Sequence, residues 1–451
     1  MYERRLDERL THAREISMPQ RQARSTDEQR LLDKAKRFLP GGTLGNTRFA
    51  DDMAFVVSAG KGSKIFDMSG NVYIDYLLGS GPMILGHAHP AVVEAVRAYL
   101  ERGSTYFTLN EPAIHLAEAI CLAVPCAEKI RFCSTGSEAT FFALRAARTY
   151  TKKDKILKFE GGYHGSHDYA LMSSSPTVPK DFPQAIPDSA GIPHVLEDQV
   201  LIAPFNDLET TSAIVERYHH ELGGVIVEPF QRIITPRPGF LHGLRELTQR
   251  FAIPLIFDEV VTGFRLAWGG AQEYYGVVPD LAAFGKIIGG GYPLSAVVGR
   301  ADVMQSFNPD REASGDFIAQ IGTLNGNPVA AVAGLATLQQ LHQEGTYRQL
   351  FSMGHRLRLG LADLLKQFGL PGQVVGEDPL FDVVFTDEPV NDYRGVLTQN
   401  RELVRRFNAE LLMRGILKGS SKMYMSVVHT AADVEQTLTA VRESFAVMTA
   451  V

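Results

Sequence analysis

From about residue 85 to residue 300 the chain alternates short apolar runs with longer stretches whose apolar positions recur every three or four residues. The runs "KIRFCS" (129–134), "KILKFE" (155–160), "VLIAPF" (200–205), "GVIVEPF" (224–230), "PLIFDEV" (254–260), "LAAFGK" (281–286) and "SAVVG" (295–299) predict strands. Helices are predicted over 137–150 and 239–252, the second with Leu241, Leu244, Leu247 and Phe251 on one face. Strands that alternate with helices imply parallel pairing and crossover connections, so the expected fold class is α/β. Upstream, "SKIFDMSGNVYIDY" (63–76) reads as a hairpin around a Ser-Gly-Asn turn. Beyond about residue 330, helices over 345–368, 400–414 and 432–448 flank strands at "LFDVVF" and "YMSVV", a smaller α+β region. The first forty residues are polar, mixed in charge and helical, ending at Pro40-Gly41-Gly42; such a face is solvated or lies on a partner chain. The expected organisation is an N-terminal arm with part of a small domain over 1–75, a large domain over 76–330 and a C-terminal small domain over 331–451.

Charge and cysteine content narrow the class. A net charge of -6 argues against a nucleic-acid binder that relies on overall basicity. No run reaches the ~20 apolar residues of a membrane span, and the charged N-terminus lacks the apolar core of a signal peptide. A cytoplasmic protein that binds neither membrane nor nucleic acid is expected. Cys121, Cys126 and Cys133 fall at no metal-ligand spacing and read as reduced thiols.

Three predicted strands end in chemically loaded residues, and ligands of open parallel sheets bind beyond the carboxyl ends of strands. After Ser134, the small residues Thr135, Gly136 and Ser137 lead into a helix near Glu138. Free amides and hydroxyls at a helix start suit a phosphate, though the same residues also spell an ordinary capping box. Asp258 and Glu259 follow four apolar residues, so Asp258 belongs at a buried strand end, where a carboxylate needs a cation or strong donors. Its partner is either a structural cation such as Arg265 or a cationic atom of a ligand; a metal lacks a second ligand at suitable spacing. Lys286 closes the third run, and three glycines, 289–291, follow it. Desolvation there favours the neutral amine, the form that attacks an aldehyde, unless the side chain snorkels out to water. Together the clusters specify a ligand with a phosphate, a cationic ring nitrogen and an aldehyde. Pyridoxal 5′-phosphate has all three, and its sites join a lysine to an acidic partner for the ring nitrogen.

The motifs "STGSEA", "GGYHG", "FDEVVTGFR", "GKIIGGGYPLSAVVGR" and "GTLNGNPVAAVAG" stand in this order. With them the chain, from about residue 36 onward, resembles the class III (subgroup II) pyridoxal-phosphate aminotransferases of fold type I. "PGGTLGNTR" and "YIDYLLGSGPMILGHAHP" bring it nearest to the glutamate-1-semialdehyde aminomutases. The resemblance implies that Lys286 is the Schiff-base lysine and proton shuttle, and that Asp258 pairs with the ring nitrogen. It implies that Gly136 and Ser137 hold the phosphate, with Tyr163 on one ring face and Val260 on the other. Thr323 would reach the phosphate of a neighbouring subunit, which makes the enzyme a homodimer with sites at the interface. Arg48 would bind a substrate carboxylate, the alternative being a surface arginine on a loop. The pairs His87/His89 and His164/His167 look like zinc ligands but fall inside these metal-free motifs, so no metal is expected.

The likeness to the aminomutases is incomplete. Their pattern has a Trp before "GP" where this chain has Ser80, and an acidic "QFEAG"-like run where it has "KGSSKM". The approach "DREASGDFIAQIGT" also differs from their short Gly/Pro-rich segment. A smaller residue at 80 widens a pocket, so the expected activity is intermolecular: an amino donor and a carbonyl acceptor exchange an amino group. The alternative is the intramolecular aminomutase reaction. A dinucleotide-dependent oxidoreductase would need a glycine fingerprint after the first strand, which is not found. A non-catalytic binder on the same scaffold would have no use for Lys286 and Asp258.

Overall fold

The computed structural model describes residues 21–46 and 48–450. Most of the predicted polar N-terminal arm lies outside these residues; its end is the helix Thr26–Phe38, capped by the Ser25 hydroxyl. Glu28 on that helix is fully buried and accepts from the Val56 amide at 2.6 Å, which ties the helix to the chain that follows.

Strands β1 (Val57–Lys61), β2 (Lys64–Asp67) and β3 (Val72–Asp75) pair antiparallel, and β2–β3 is the hairpin expected from the Ser-Gly-Asn turn. The large sheet comprises β4 (Lys129–Cys133), β5 (Lys155–Phe159), β6 (Val200–Ala203), β7 (Leu222–Val227), β8 (Leu255–Asp258), β9 (Leu281–Phe284) and β10 (Ser295–Gly299). Its spatial order is β4-β10-β9-β8-β7-β5-β6, and each of the seven predicted runs supplies one strand. Strands β5 to β9 pair parallel, as the alternation with helices implies.

Strand β10 departs from that expectation, running antiparallel to both β9 and β4. A parallel neighbour needs a crossover of a dozen or more residues. Only residues 285–294 separate β9 from β10, and part of that segment is the tight turn Lys286–Gly289.

The helix Pro328–Leu341 is an element the periodicity does not predict. Ten of its fourteen residues are buried, and a helix that is apolar all round shows no amphipathic stripe. It runs across residue 330, the boundary expected between the domains, and packs on helices Pro90–Leu100 and Glu111–Ala123.

The C-terminal region adds β11 (Gln373–Glu377), β12 (Leu380–Val384), β13 (Ile416–Leu417) and β14 (Met423–Tyr424). Strand β13 pairs parallel with β3, so the two ends of the chain share a sheet. The strand expected at "YMSVV" is reduced to Met423–Tyr424. The amides of Met425 and Val427 bond to the loop carbonyls of Pro379 and Ile84 and so leave the ladder. Helices Thr346–Gln367, Arg401–Met413 and Ala431–Thr449 stand where predicted. Among the described residues no helix is long and apolar enough to cross a membrane.

Candidate active site

Register explains why residues far apart in sequence meet. Strands β8 and β9 are parallel neighbours with Asp258 opposite Ala283, so Asp258 and Lys286 leave adjacent strand ends on the same edge. Cys133, at the end of β4, pairs with Ser295, at the start of β10. That brings the start of helix Gly136–Thr151 to the same edge, where the Ser295 hydroxyl donates to the Thr135 carbonyl at 2.6 Å. All three predicted clusters open on one cavity of about 620 Å³.

Lys286 follows extended Gly285 and adopts φ +51°, a left-handed backbone that a lysine takes only where its surroundings enforce it. The glycines beyond it are required by close packing. A Cβ on Gly290 would stand 2.5 Å from the Ala333 carbonyl, so the buried helix Pro328–Leu341 presses directly on the lysine's turn. A Cβ on Gly81 would stand 3.4 Å from the Lys286 Cδ, which shows how closely that loop covers the amine stem. Desolvation holds the Lys286 amine below the usual lysine range; Tyr424 opposes the shift and the Lys422 cation adds to it.

Asp258 is 5% exposed. Its Oδ2 lies 2.8 Å from the His164 Nδ1, and its Oδ1 accepts from the Val260 amide at 3.1 Å. The structural partner considered for it, Arg265, goes elsewhere: the fully buried guanidinium donates to the carbonyls of Val261, Met425 and Gly81. Glu259 also turns away, accepting from the Ala271 and Gln272 amides and the Thr262 hydroxyl; burial pushes its carboxyl up to about 7.

The start of helix Gly136–Thr151 satisfies both readings of its sequence. Thr135 and Glu138 form the capping box. That box serves the Glu138 and Thr135 amides and leaves the first two helical amides, at Gly136 and Ser137, on the cavity wall. Gly165, at φ +102°, lies so close that a Cβ there would stand 2.6 Å from the Ser137 Oγ, and the Ser166 amide donates to that oxygen at 3.0 Å.

Tyr163 and Val260 both belong to the lining. The Tyr163 ring carries the Arg232 guanidinium 5.1 Å from its centroid. Val260 is wedged between Gly136 and Gly285, each of which would clash with or crowd it if it bore a Cβ. Buried Glu228 accepts from the Tyr163 amide at 3.0 Å. Ser80 and Lys422, the latter within "KGSSKM", belong to two of the three departures from the aminomutase pattern, and both line the cavity. Two predicted site residues do not line it. Arg48 is 62% exposed and pairs with Asp51 at 3.1 Å. Thr323 sits exposed in a surface turn.

Sequence reasoning missed His164, Glu228, Arg232 and Lys422 as members of this site. The Asp258–His164 pair spans 94 positions, and no local pattern announces it. The signal for Lys422 was present, since "KGSSKM" broke the expected pattern.

This donor set fits pyridoxal 5′-phosphate. It offers a desolvated amine, a buried carboxylate steadied by a histidine, a helix start with spare amides, and an aromatic and an aliphatic side chain in the lining. The comparisons agree with the fit. The family model described as aminotransferase class-III matches residues 47–442. A glutamate-1-semialdehyde 2,1-aminomutase from Methanopyrus kandleri is 42% identical over 92% of this chain and 96% of its own length. An omega-transaminase from Sphaerobacter thermophilus superimposes with a TM-score of 0.89 at 36% identity, covering 93% of this chain and 97% of that one. A beta-phenylalanine aminotransferase from Variovorax paradoxus gives a TM-score of 0.83 at 28% identity, covering 98% of this chain and 97% of its own. The chain belongs to the class III aminotransferases, enzymes that work with pyridoxal 5′-phosphate.

Proposed function

We propose that this enzyme moves an amino group on or between small substrates with Lys286 as the covalent and proton-handling residue. The carrying observation is that Lys286 and Asp258 leave adjacent parallel strands into one cavity. The bound cofactor supplies an electrophilic aldehyde and a ring that accepts electrons from the reacting carbon. The desolvated Lys286 amine would be the nucleophile toward that aldehyde and, once displaced, the base that carries a proton between the substrate's amino-bearing carbon and the carbon of that aldehyde. Asp258, held by His164, keeps a proton on the ring nitrogen. Gly136 and Ser137 receive the phosphate, and Tyr163 and Val260 confine the ring. Thr323 serves the site of a second copy. This dimer reading is supported by the apolar surface near that turn, where Phe107, Leu109 and Ile321 are 70%, 85% and 86% exposed.

Two forms of the reaction remain, and the curated relatives shift the balance from the intermolecular form expected from sequence. Their names, glutamate-1-semialdehyde 2,1-aminomutase, favour the intramolecular one. The second reading, transfer from a separate donor to a separate carbonyl acceptor, is favoured by Ser80 and Lys422 in the cavity lining. Purified holoenzyme given the semialdehyde alone decides between them. Full conversion without added acceptor supports the aminomutase. Turnover only with paired donor and acceptor supports the transaminase. Neither activity rejects both.

A further inference from the structure

The cavity holds more cationic side chains than its own acids engage. Asp258 is occupied by His164 and the Val260 amide. Glu228 accepts from the Tyr163 amide and stands 4.0 Å from the Arg232 Nε, which itself donates to the Gly161 carbonyl at 3.2 Å. Lys422 is different. It lines the cavity near Lys286, and, like the Lys286 amine already assigned to the cofactor, its amine makes no hydrogen bond and no ion pair among the described residues. The turn that presents it, closed by the Gly419 amide on the Lys422 carbonyl at 3.1 Å, is built from Gly419, Ser420 and Ser421, all of which line the cavity. Such small residues leave room in front of the amine. The turn is anchored from behind, because the adjacent Tyr424 amide donates to the Tyr76 carbonyl at 2.8 Å.

A cation that is half-buried and unpaired costs free energy unless a ligand supplies the counter-charge. The helix start at Gly136 and Ser137 already provides a phosphate seat, so Lys422 has no evident use for the cofactor. We infer that Lys422 binds the carboxylate of the amino substrate, with the Ser420 and Ser421 hydroxyls beside it, and so sets the preference for carboxylated over plain amines. This rests on the function proposed above and names the substrate feature which that site reads. Burial and the nearby Arg232 lower the Lys422 amine to about 8, so it is mostly charged at neutral pH, as a carboxylate partner requires.

The test compares Lys422→Gln and Lys422→Arg with the native holoenzyme. The first readout is the ratio of kcat/KM for 3-aminobutanoate to that for sec-butylamine, which has a methyl group in place of the carboxylate. Lys422→Gln is expected to lower this ratio about tenfold to a hundredfold, the worth of one charge-assisted contact, and Lys422→Arg to restore most of it. An unchanged ratio overturns the inference, as does an equal loss on both amines. The second readout is calorimetric binding of glutarate, which needs no turnover. Lys422→Gln is expected to weaken it by a similar factor. Equal binding by native and variant enzyme, or no binding by either, overturns the inference. If the native enzyme transfers no amino group at all, the proposed function falls, and glutarate binding alone decides the role of Lys422.

Discussion

His164 Nδ1 stands 2.8 Å from Asp258 Oδ2, with the two side chains 1% and 5% exposed. A buried carboxylate whose charge must be kept for a ring nitrogen needs a donor that fixes its orientation without neutralising it. An imidazole that donates from Nδ1 does this. The pair also joins the "GGYHG" loop to the end of β8, so the wall that carries Tyr163 is positioned by the same contact.

His164→Leu therefore removes the donor, and His164→Asn returns an N–H near the position of Nδ1. Losing one hydrogen bond to a charged group costs about 1.5–3 kcal/mol. The expected kcat is tenfold to a hundredfold lower for the leucine variant and intermediate for the asparagine variant, measured with cofactor at saturation. Equal rates for the two variants would show that the imidazole only fills space.

Lys286→Ala is expected to abolish amino transfer while far-ultraviolet circular dichroism stays native, and borohydride should then leave no cofactor mass on the chain. The pH dependence has a definite sign. The neutral amine is the reactive form, so the rate of cofactor capture by apoenzyme rises with pH and levels off above the Lys286 pKa. That midpoint lies below the ordinary lysine value because the amine is desolvated. The charged and titratable groups around it are Tyr424, Lys422, Asp258 and Glu228, of which Lys422 pushes the value down and the other three push it up. Lys422→Met should therefore move the midpoint upward, as stopped-flow absorbance would record. A downward shift would mean that Lys422 does not act on Lys286 as a like charge.

The large sheet was legible because β6 to β10 are buried on both faces and read as near-continuous apolar runs. Part of the cavity lining was legible where polar residues sat at a strand end, as with Asp258 and Lys286. The antiparallel turn of β10 was hidden because direction depends on connection length, which apolar runs do not encode. The helix Pro328–Leu341 was hidden because burial on all sides erased its stripe. Arg265 shows the limit most clearly. From sequence it was a candidate partner for Asp258, seven positions away. In the fold it lies under the Tyr424 ring, 5.1 Å from the centroid, and bonds only to carbonyls.

That placement makes Arg265 a clamp on the cavity wall. Gly81 and Met425, whose carbonyls it holds, are neighbours of the lining residues Ser80 and Tyr424. Arg265→Met would leave at least two carbonyls without their donor, at about 1–3 kcal/mol each where no water replaces it. The expected result is a lower Tm together with a raised KM. Lysine, with a single ammonium in place of the planar fork, should recover only part of both. A variant that loses stability at unchanged KM would confine Arg265 to folding.

Arg48 supplies the contrast to Lys422. Its guanidinium lies outside the cavity and bonds to Asp51 at 3.1 Å, and Lys36 bonds to the same carboxylate at 3.1 Å. The pair of cations holds the Asp51 carboxyl below its usual range and fastens this loop to the helix Thr26–Phe38. Exposed pairs of this kind contribute little to stability. With Lys422 as the carboxylate's partner, Arg48→Ala should change the ratio of kcat/KM for 3-aminobutanoate over sec-butylamine by less than about threefold, far below the change from Lys422→Gln. The resemblance to the aminomutases implies the reverse, because there an arginine at this place takes the carboxylate. For that to hold here, substrate must draw the loop inward and break the Asp51 pair. Asp51→Asn would then release Arg48 and raise the ratio above native, while Arg48→Ala would lower it about tenfold. Measuring both variants therefore separates a loop that closes over the substrate from one that stays pinned to the N-terminal helix.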